Sequence, residues 1–506
     1  MAWIAGSSSA LVEMDRGKKR LFGSALFWTC AATVIGLTAG CGGSGGMTSG
    51  GGGPVAGENT QTTIVVSSAA NDQLTRFYLM LNSLSLTTKA GASVAVVSAP
   101  QQVEFMHLNG EAEPLITVNV PQGVYTSATA TVGSASFTCL VQQSGSDTTA
   151  TYAYGATPSN QVTVQLPEPL TVSGQTMALS LQLLVSQSAS FPSTCSTQSI
   201  SPYSITPTFN LAAMPLAAEP TNATNGKLTA LEGLVANATG GNSFTVSAAD
   251  GTQPGTSLNT VWQVSTNSGT VFQGIGNAQG LAVGMPVDLD GILQADGSVL
   301  AMRVAVPDAD TTDLTVNQGP LMQVVATEPI LNEGFQVAEG SEIYIRGWPA
   351  YNFSNATFAV WGGLTNTASL PFAGSFSGSN MVAGQVVATT SHVTQVAPWP
   401  TYVPATVMTL MPQTIDGTVV SAGTSGAFTT YTVQLAAYDV FPQFAVQGGQ
   451  TTLLQSPQQI VVYVDSSAQV LSAPTMGGPA RFTGVIFNDN GTLRMDCTGV
   501  AAGVAE

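Results

Sequence analysis

Two pairs of carboxylates have a spacing that acid–base chemistry could use. Glu111 and Glu113 form one pair, and Asp288 and Asp290 form the other. Residues at positions i and i+2 of a strand share one face about 6.6 Å apart, and glycosidases work with two carboxylates at comparable separations. Apolar residues alternate with the two aspartates, however, which is typical of the polar face of an amphipathic strand. We therefore expect these carboxylates to be solvated and to have no catalytic function.

The chain contains few residues that could support acid–base chemistry by histidine or the binding of a metal ion. The chain has two histidines, His107 in an alternating strand and His392 near a proline-rich loop, and it lacks the zinc-protease HExxH motif and the Walker phosphate-binding loop. Asp308, Asp310 and Asp313 offer the oxygen ligands that calcium prefers, but the glycine and final glutamate of an EF-hand are missing, which favours an acidic linker. The sequence predicts satisfied or solvent-facing histidines, no metal site, no cofactor and no enzymatic activity.

Aromatic residues concentrate in one part of the chain. Trp348, Tyr351 and Trp399 lie there beside glycine- and proline-rich loops. Exposed aromatic rings bind sugar rings or apolar peptide segments, and loops can present rigid rings at a small entropic cost. The alternative is that strand alternation hides the rings in a core. We predict a ligand contact at these three residues, with a neutral glycan or another protein as the partner.

Composition indicates the fold class that must position these residues. Only 8% of the 506 residues are charged, whereas 44% are hydrophobic. Such a chain suits half-buried pleated strands, and it has neither the charged faces of helical bundles nor the high charge of disordered proteins. The net charge is −17, and four of the 11 basic residues fall between positions 16 and 20. We therefore predict an acidic, all-β body that does not bind nucleic acid.

The first 40 residues have the order of an export signal. A basic segment, 16–20, precedes an apolar stretch, 21–40, that contains no acidic or basic residue and ends in Leu-Thr-Ala-Gly before Cys41. This order is typical of a lipoprotein signal peptide, which we predict over residues 1–40. An uncleaved transmembrane helix is the alternative, because about 20 apolar residues can span a bilayer. Met14 is the alternative start of translation.

Cleavage before Cys41 would leave that cysteine as a lipid-modified N-terminus. Residues 41–61 form a glycine-rich tether, which is flexible enough to separate a folded body from a membrane. Several acyl chains on one cysteine exceed what stable membrane attachment requires. Gly42 stands where an aspartate would favour retention in the inner membrane. The predicted location is the cell envelope, at the outer membrane.

The remaining cysteines agree with export. No pair has the spacing of a redox or zinc motif. In an oxidising compartment Cys139 and Cys195 can close one disulfide, which contributes about 4 kcal/mol by chain entropy. Cys497 lies in an alternating segment, which predicts a buried free thiol in a strand.

Residues 62–217 read as short strands separated by turns and are predicted to form a β-sandwich. Residues 77–86 and 103–108 are strand-like, and residues 120–125 hold a proline-glycine turn between two strands. These segments resemble an export-directed bacterial family, domain of unknown function 4382. The resemblance implies a β-sandwich on a lipoprotein and carries no catalytic residues.

The rest of the chain contains three similar units, 228–307, 313–411 and 414–501. Residues 280–304 of the first unit recur as 477–500 of the third, each with a glycine before one strand and an Asp-Gly or Asn-Gly hairpin turn before the last. Glu232-Gly233 opens the first unit as Asp416-Gly417 opens the third, and a looser copy begins at Met381. The units are similar to domain of unknown function 5666, for which we expect about three small OB-like β-barrels.

These predictions together describe a lipid-anchored lipoprotein of the cell envelope that binds a glycan or an envelope protein without catalysis. A passive architectural lipoprotein is the first alternative, because repeated β-domains on a tether suit both. A carboxylate-based glycoside hydrolase is a weaker alternative, since the sequence assembles no acid–base constellation beyond the two carboxylate pairs.

Overall fold

The computed structural model describes part of the chain, and all described residues belong to one of two compact units, residues 56–506. They are residues 58–69, 74–108, 111–142, 149–189, 203–214, 216, 226–249, 257–306, 315–324, 330–331, 333–338, 342–347, 350–391, 402–436, 441–442 and 459–502. Among them, no helix combines the length and apolar character that crossing a membrane requires. The predicted signal, Cys41 and most of the tether lie outside these ranges.

The amino-terminal strands form two sheets that enclose a common core. The strands are β1 (Asn59–Ala69), β2 (Leu74–Thr88), β3 (Ser93–Val97), β4 (Gln101–Glu104), β5 (Ala112–Pro121), β6 (Gly123–Gln142), β7 (Thr149–Pro158), β8 (Thr163–Gln165), β9 (Leu170–Val172), β10 (Thr176–Leu184), β11 (Tyr203–Ile205) and β12 (Thr208–Met214), with a short helix, α1 (Val185–Ser188), after β10. One sheet has the order β5-β1-β10-β12-β8 and the other β11-β7-β6-β2-β3, with β4 beside β2 and β9 beside β6. This is the predicted sandwich.

Alternation along the strands gives each sheet an inner and an outer face. Ile64 and Val66 of β1 face the sandwich core, together with Phe77 of β2. Val65 points the opposite way and packs into the apolar core of the neighbouring barrel. The outer face of this sheet is therefore partly buried by the next part of the chain.

The first barrel follows the sandwich. Its strands are β13 (Lys227–Ala238), β14 (Ser243–Ala249), β15 (Ser257–Ser265), β16 (Val271–Gln273), β17 (Pro286–Leu293) and β18 (Val299–Ala305), with a 3₁₀ turn, Ala278–Gly280, before β17. Five strands pair in the order β15-β14-β13-β17-β18, and a parallel pairing of β15 with β18 closes the ring. β16 pairs with β18 in parallel, on the same edge as β15 and farther along that strand.

The second barrel repeats this order. Its strands are β19 (Thr315–Gln323), β20 (Ile330–Leu331), β21 (Glu333–Ala338), β22 (Glu342–Gly347), β23 (Ala350–Asn352), β24 (Thr357–Val360), β25 (Val386–Ser391) and β26 (Tyr402–Leu410), with a 3₁₀ turn, Thr367–Ser369. The ring is β23-β20-β19-β25-β26, and β23 pairs with β26 in parallel. β21 and β22 form a separate hairpin.

The third barrel consists of β27 (Gln413–Ser425), β28 (Phe428–Leu435), β29 (Gln459–Val470), β30 (Pro479–Asp489) and β31 (Thr492–Ala502). They close in the order β27-β28-β29-β31-β30, again with one parallel pairing, β29 with β31. The same five-stranded order in all three barrels confirms the predicted fold class, an all-β chain with a sandwich followed by OB-like barrels.

The repeated glycines have a steric cause. Gly233 of β13 and Gly417 of β27 occupy equivalent positions in the first and third barrels. Each follows an acidic residue, Glu232 or Asp416, and each pairs with the fourth of the five ring strands in chain order, β17 or β30. A Cβ atom at Gly233 or Gly417 would collide with a carbonyl oxygen of the neighbouring strand. The matching sequence pairs therefore mark a close crossing of two strands.

The two predicted hairpin turns differ from each other. Asn490 and Gly491 both have positive φ, 52° and 89°, which confirms the predicted type I′ turn between β30 and β31. In the turn between β17 and β18 of the first barrel, Gly297 has a positive φ, 84°, whereas Asp296 does not. This loop is also wider, with the amide of Gln294 bonded to the carbonyl of Ser298. The type I′ prediction is wrong for this turn.

Candidate functional site

A polar groove of about 680 Å³ lies between the second and third barrels. Its lining comes from two short segments, and most of the side chains carry hydroxyl or amide groups. The lining residues are Ala373, Ser375, Ser377, Ser379, Asn380, Met381, Asn488, Asp489, Asn490 and Gly491. We name this feature the interbarrel groove.

One wall of the interbarrel groove is the hairpin turn between β30 and β31. The type I′ geometry of Asn490 and Gly491 reverses the chain in two residues. The side-chain oxygen of Asn488 accepts a hydrogen bond from the Gly491 amide at 2.8 Å. This wall is therefore held by the turn itself, and Asn490 at its tip is exposed.

The other wall is the loop that precedes β25. The Asn380 Oδ1 atom accepts a hydrogen bond from the Ser377 amide at 2.7 Å, and its Nδ2 atom donates to the carbonyl of Ser375 at 2.8 Å. Asn380 thus fixes the loop. The hydroxyls of Ser377 and Ser379 lie 3.0 Å apart, and Ser379 is exposed.

An aromatic and cationic stack adjoins the groove. Phe372, next to the lining residue Ala373, is half-buried, and its ring centre lies 4.9 Å from that of Tyr463. The guanidinium carbon of Arg494 lies 5.4 Å from the Phe372 ring centre, and its Nε atom donates to Asp489 Oδ2 at 2.8 Å. The stack therefore holds in place the carboxylate that lines the groove.

The side chains that line the interbarrel groove are suited to binding a neutral, polar ligand. Hydroxyl and amide groups can both donate and accept hydrogen bonds. Among the described residues, the lining has a single carboxylate, Asp489, which is paired with Arg494, and no basic residue. Such a surface matches a ligand rich in hydroxyl groups better than a strongly charged one.

Tyr351, one of the three predicted aromatic contacts, does not line the groove. Tyr351 is fully buried in the core of the second barrel, so its ring has no free face for a ligand. This corrects the prediction for Tyr351, because β23 carries it inward next to β26. Trp348 and Trp399 lie outside the described residues, and a ligand contact there stays a prediction. In the sequence, the groove corresponds to no pattern other than a segment rich in serine, glycine and asparagine at 374–380.

The aspartate pair of the first barrel is buried, contrary to the prediction of a solvated face. Asp288 and Asp290 are 8% and 2% exposed. The guanidinium of Arg303, itself buried, donates to Asp288 at 2.7 Å and to Asp290 at 2.5 Å. Burial, offset in part by Arg303, raises the pKa of Asp288. Apolar alternation predicted the inner face of this strand correctly, but its outer face is covered by other parts of the molecule.

His107 lies between two carboxylates of the sandwich, which confirms that it is a satisfied histidine. Its Nδ1 atom lies 2.9 Å from Glu104, and its Nε2 atom lies 3.3 Å from Glu113. Burial disfavours the charged imidazolium, but Glu113 and Glu104 outweigh it and hold the pKa of His107 well above its usual value. His392 lies outside the described residues.

The two carboxylate pairs of the sequence approach each other at a junction between the sandwich and the barrels. Burial and the charge of Asp290, followed by smaller effects of Asp288 and Glu232, raise the pKa of Glu111 to about 8, although His107 opposes them. Glu111 accepts a hydrogen bond from the hydroxyl of Thr414, in β27, at 3.4 Å. We name Glu111, Glu232, Asp288, Asp290 and Arg303 the central acid cluster.

Metal-ligating side chains and cysteines are the remaining groups of the described part of the chain to consider. No group of three or more His, Cys, Asp or Glu residues there is arranged to hold a metal ion, and Asp308–Asp313 lie outside it. Cys497 is a buried free thiol in β31, as predicted, and burial raises its pKa. The side chains of Cys139 and Cys195 lie outside the described residues, so their disulfide stays a prediction.

Comparison with known protein families finds a match for one part of the chain. Residues 232–305 match the family model described as domain of unknown function (DUF5666), and this range runs from β13 to the end of β18 in the first barrel. No curated protein matches the chain. The resemblance of residues 62–217 to domain of unknown function 4382 stays a prediction, whereas the resemblance of the barrel region to domain of unknown function 5666 is confirmed for residues 232–305.

Proposed function

We propose that this protein is a lipoprotein of the cell envelope, anchored to the outer membrane through Cys41, whose body binds a neutral glycan without catalysis. The interbarrel groove is the observation that carries this proposal. Its serine and asparagine side chains supply the mixed donors and acceptors that sugar hydroxyls require. The net charge of −17 disfavours anionic ligands.

The absence of catalysis in this proposal is supported by the ion pairs that engage the carboxylates. Asp288 and Asp290 are engaged by Arg303, and Asp489 of the groove is engaged by Arg494. A glycosidase needs one carboxyl group as acid and a second as base or nucleophile, both facing the scissile bond. The described residues that line the interbarrel groove include no such pair.

A screen of the soluble body, residues 59–506, tests the proposal. Neutral oligosaccharides, acidic oligosaccharides and detergent-extracted envelope proteins are immobilised separately, and binding of the body is measured. We expect retention on neutral oligosaccharides, with the chain length of the bound sugar unchanged after prolonged incubation. Binding to envelope proteins alone would indicate that the ligand is a protein and not a glycan. Shortening of the sugar would support the alternative that the protein is a glycoside hydrolase.

Lipid attachment has its own test. Mass spectrometry of the membrane fraction is expected to find an acylated Cys41 as the N-terminal residue, and Cys41→Ser is expected to release the body from the membrane. A mature N-terminus before Cys41 would contradict the anchor and favour the uncleaved helix.

A passive architectural role is the second candidate, favoured by one contact among the three barrels. The Lys227 ammonium of the first barrel donates to the carbonyl of Leu364 in the second at 2.5 Å and to the Ser467 hydroxyl in the third at 2.9 Å. Burial lowers the pKa of Lys227 against the opposing charges of Asp465 and Asp496. A body joined in this way suits a rigid spacer. Failure to bind any immobilised glycan or protein would favour this role.

A further inference from the structure

The hairpin of β27 and β28 has one strand edge that the rest of the third barrel does not cover. β27 pairs with β30 only as far as Thr418, and the Val419 amide then donates to the carbonyl of Gly478. From position 420 onward, no strand among the described residues lies beside this edge, whereas β28 pairs on the other side and is itself backed by β29. Residues 420–424 are all exposed. We name residues 420–424 the free edge.

The turn at the tip of the hairpin determines which backbone groups of the free edge point outward. Ser425 and Phe428 oppose each other across two residues, so they exchange both of their hydrogen bonds. Gly426, the first of those two residues, has a φ of 61°, as the first central position of a type II′ turn requires. Bonded and non-bonded pairs alternate along an antiparallel ladder. The N–H and C=O groups of Ala422 and Thr424 therefore point away from β28.

The free edge lacks two features with which proteins protect an exposed strand edge. Its sequence, Val-Ser-Ala-Gly-Thr, contains no proline and no charged residue. Unpaired backbone groups on such an edge are a template for a strand of another chain. The bulge at Val420 lies at its start, so the residues after it pair regularly with β28.

Apolar side chains stand at the start of the free edge. Val420 is 42% exposed and Met476 is 61% exposed. The two lie close together, because the amide of Gly477 donates to the carbonyl of Val419 at 2.8 Å. A strand added to this edge would therefore find both backbone partners and apolar surface to cover.

We infer that the free edge binds a second copy of this chain, with the two β27 strands antiparallel about a twofold axis at Gly423. In this register, Ala422 of each copy pairs with Thr424 of the other, and their outward N–H and C=O groups form four hydrogen bonds. The two positions are equidistant from the axis, so one sequence supplies both sides of the interface. The turn of each copy lies opposite Val420 of the other. Gly423 faces its symmetry mate, where the lack of a side chain permits close approach.

Size and charge predict a weak dimer. The free edge has five residues, whereas a standard interface has about 20–30 residues on each side. The net charge of −17 opposes the approach of two copies, although none of that charge lies on the free edge itself. We therefore expect association to strengthen as salt screens the repulsion. The inference depends neither on a ligand in the interbarrel groove nor on the lipid anchor.

Disulfide trapping of the full-length protein tests the dimer. Gly423→Cys places two thiols across the proposed axis, at positions whose Cα atoms would lie about 4.5 Å apart. Copper phenanthroline is added to freshly lysed producing cells, and mass spectrometry identifies the two chains of the cross-linked product. Thr429→Cys is the matched control, because this exposed residue lies on β28, whose outer edge is covered by β29. We expect the homodimer of Gly423→Cys to form at least about tenfold faster than that of the control.

Sedimentation equilibrium of the purified full-length protein tests the same contact without a covalent bond. Ala422→Lys with Thr424→Lys places four ammonium groups on one face of the paired strands, so the dissociation constant is expected to rise at least about tenfold. Ser268→Lys with Gln279→Lys adds the same charge at exposed positions of the first barrel and is expected to dimerise no more weakly than the wild type. A wild type that stays monomeric at every concentration and salt, an edge variant that dimerises as well as the control, or a disulfide from position 423 to a different protein would each overturn the inference.

Discussion

The hairpin loop before the last strand has opposite surroundings in the first and third barrels. In the first, the carbonyl of Asp296 accepts a hydrogen bond from Gln61 of the sandwich at 3.4 Å, and a Cβ atom on Gly297 would collide with Thr117. In the third, Asn490 and Gly491 line the interbarrel groove. One barrel thus uses this turn for assembly, whereas the other leaves it open. Neighbours, more than the turn itself, decide whether a loop can meet a ligand.

The buried charges of the two barrels show a related difference. Arg303 reaches two aspartates from β18, whereas Arg481 reaches Asp416 from β30. Both guanidinium groups are almost completely buried. Both barrels therefore contain a buried ion pair, but the arginine comes from the fifth ring strand in the first barrel and from the fourth in the third. This explains why Arg303 and Arg481 do not align in the sequence repeat.

The largest expected effect comes from breaking the buried ion pair of the third barrel, Arg481 with Asp416. Arg481→Met leaves the buried Asp416 carboxylate without its guanidinium, and we expect a loss of about 3–5 kcal/mol in the free energy of unfolding. Arg494→Met is the matched control, because the Arg494–Asp489 pair is partly exposed, and its expected cost is about 1 kcal/mol or less. Urea unfolding followed by circular dichroism measures both. Equal losses would show that burial does not distinguish the pairs.

A pair of glycine substitutions tests the difference between the covered and the open turn. Gly297 and Gly491 both have positive φ, so alanine at either position costs about 1 kcal/mol through backbone strain. Gly297→Ala also collides with Thr117, which adds about 1–3 kcal/mol. Thermal unfolding is expected to show the larger loss for Gly297→Ala. The opposite order would mean that the sandwich does not cover this turn.

The pH dependence of stability is expected to be the next largest effect. The folded pKa values of Glu111, about 8, and Asp496, about 7, lie above their usual values of 4.5 and 3.8; burial is the main cause at both. The folded state therefore holds protons that the unfolded chain releases, and stability falls as pH rises through these intervals, by up to about 1.4 kcal/mol per pH unit for each group. His107 acts in the same direction, because its folded pKa is also raised.

Urea midpoints between pH 5 and pH 9 measure this dependence. Glu111→Gln and Asp496→Asn are each expected to flatten part of the decline, with the Asn variant acting mainly below about pH 7. A stability that rises over this range in the wild type would contradict the buried, protonated state of these carboxyl groups.

Sequence patterns predicted the features that depend on neighbouring residues in the chain. Alternation predicted strands, Asn490-Gly491 predicted its turn, and the match of Glu232-Gly233 with Asp416-Gly417 predicted equivalent openings of the first and third units. Features that depend on distant segments were not accessible. The outer face of β17 looked solvated because nothing local to Asp288 and Asp290 reveals what covers it.

The interbarrel groove escaped prediction for the same reason. Its walls, at 373–381 and 488–491, come from different barrels, and each alone resembles an ordinary polar loop. Tyr351 was a poor guide because a three-residue strand places its ring inside the barrel. Packing between barrels, which no periodicity encodes, decides both outcomes.

The smallest expected effect concerns the one carboxylate of the groove. Asp489→Asn removes a charge but keeps the shape, so the affinity for a neutral oligosaccharide is expected to change by no more than about threefold. Isothermal titration calorimetry measures it. A loss of a hundredfold would show that binding of the sugar depends on hydrogen bonds accepted by the Asp489 carboxylate.

Blocking the groove tests the proposed function most directly. Ser379→Trp places a large side chain at an exposed position of the groove wall, and Ser268→Trp places the same side chain at an exposed turn of the first barrel. Titration with the neutral oligosaccharide that the wild type retains best is expected to show at least a tenfold loss of affinity for Ser379→Trp and none for Ser268→Trp, with both melting temperatures close to that of the wild type. Undiminished binding by a folded Ser379→Trp variant would contradict the interbarrel groove as the glycan site.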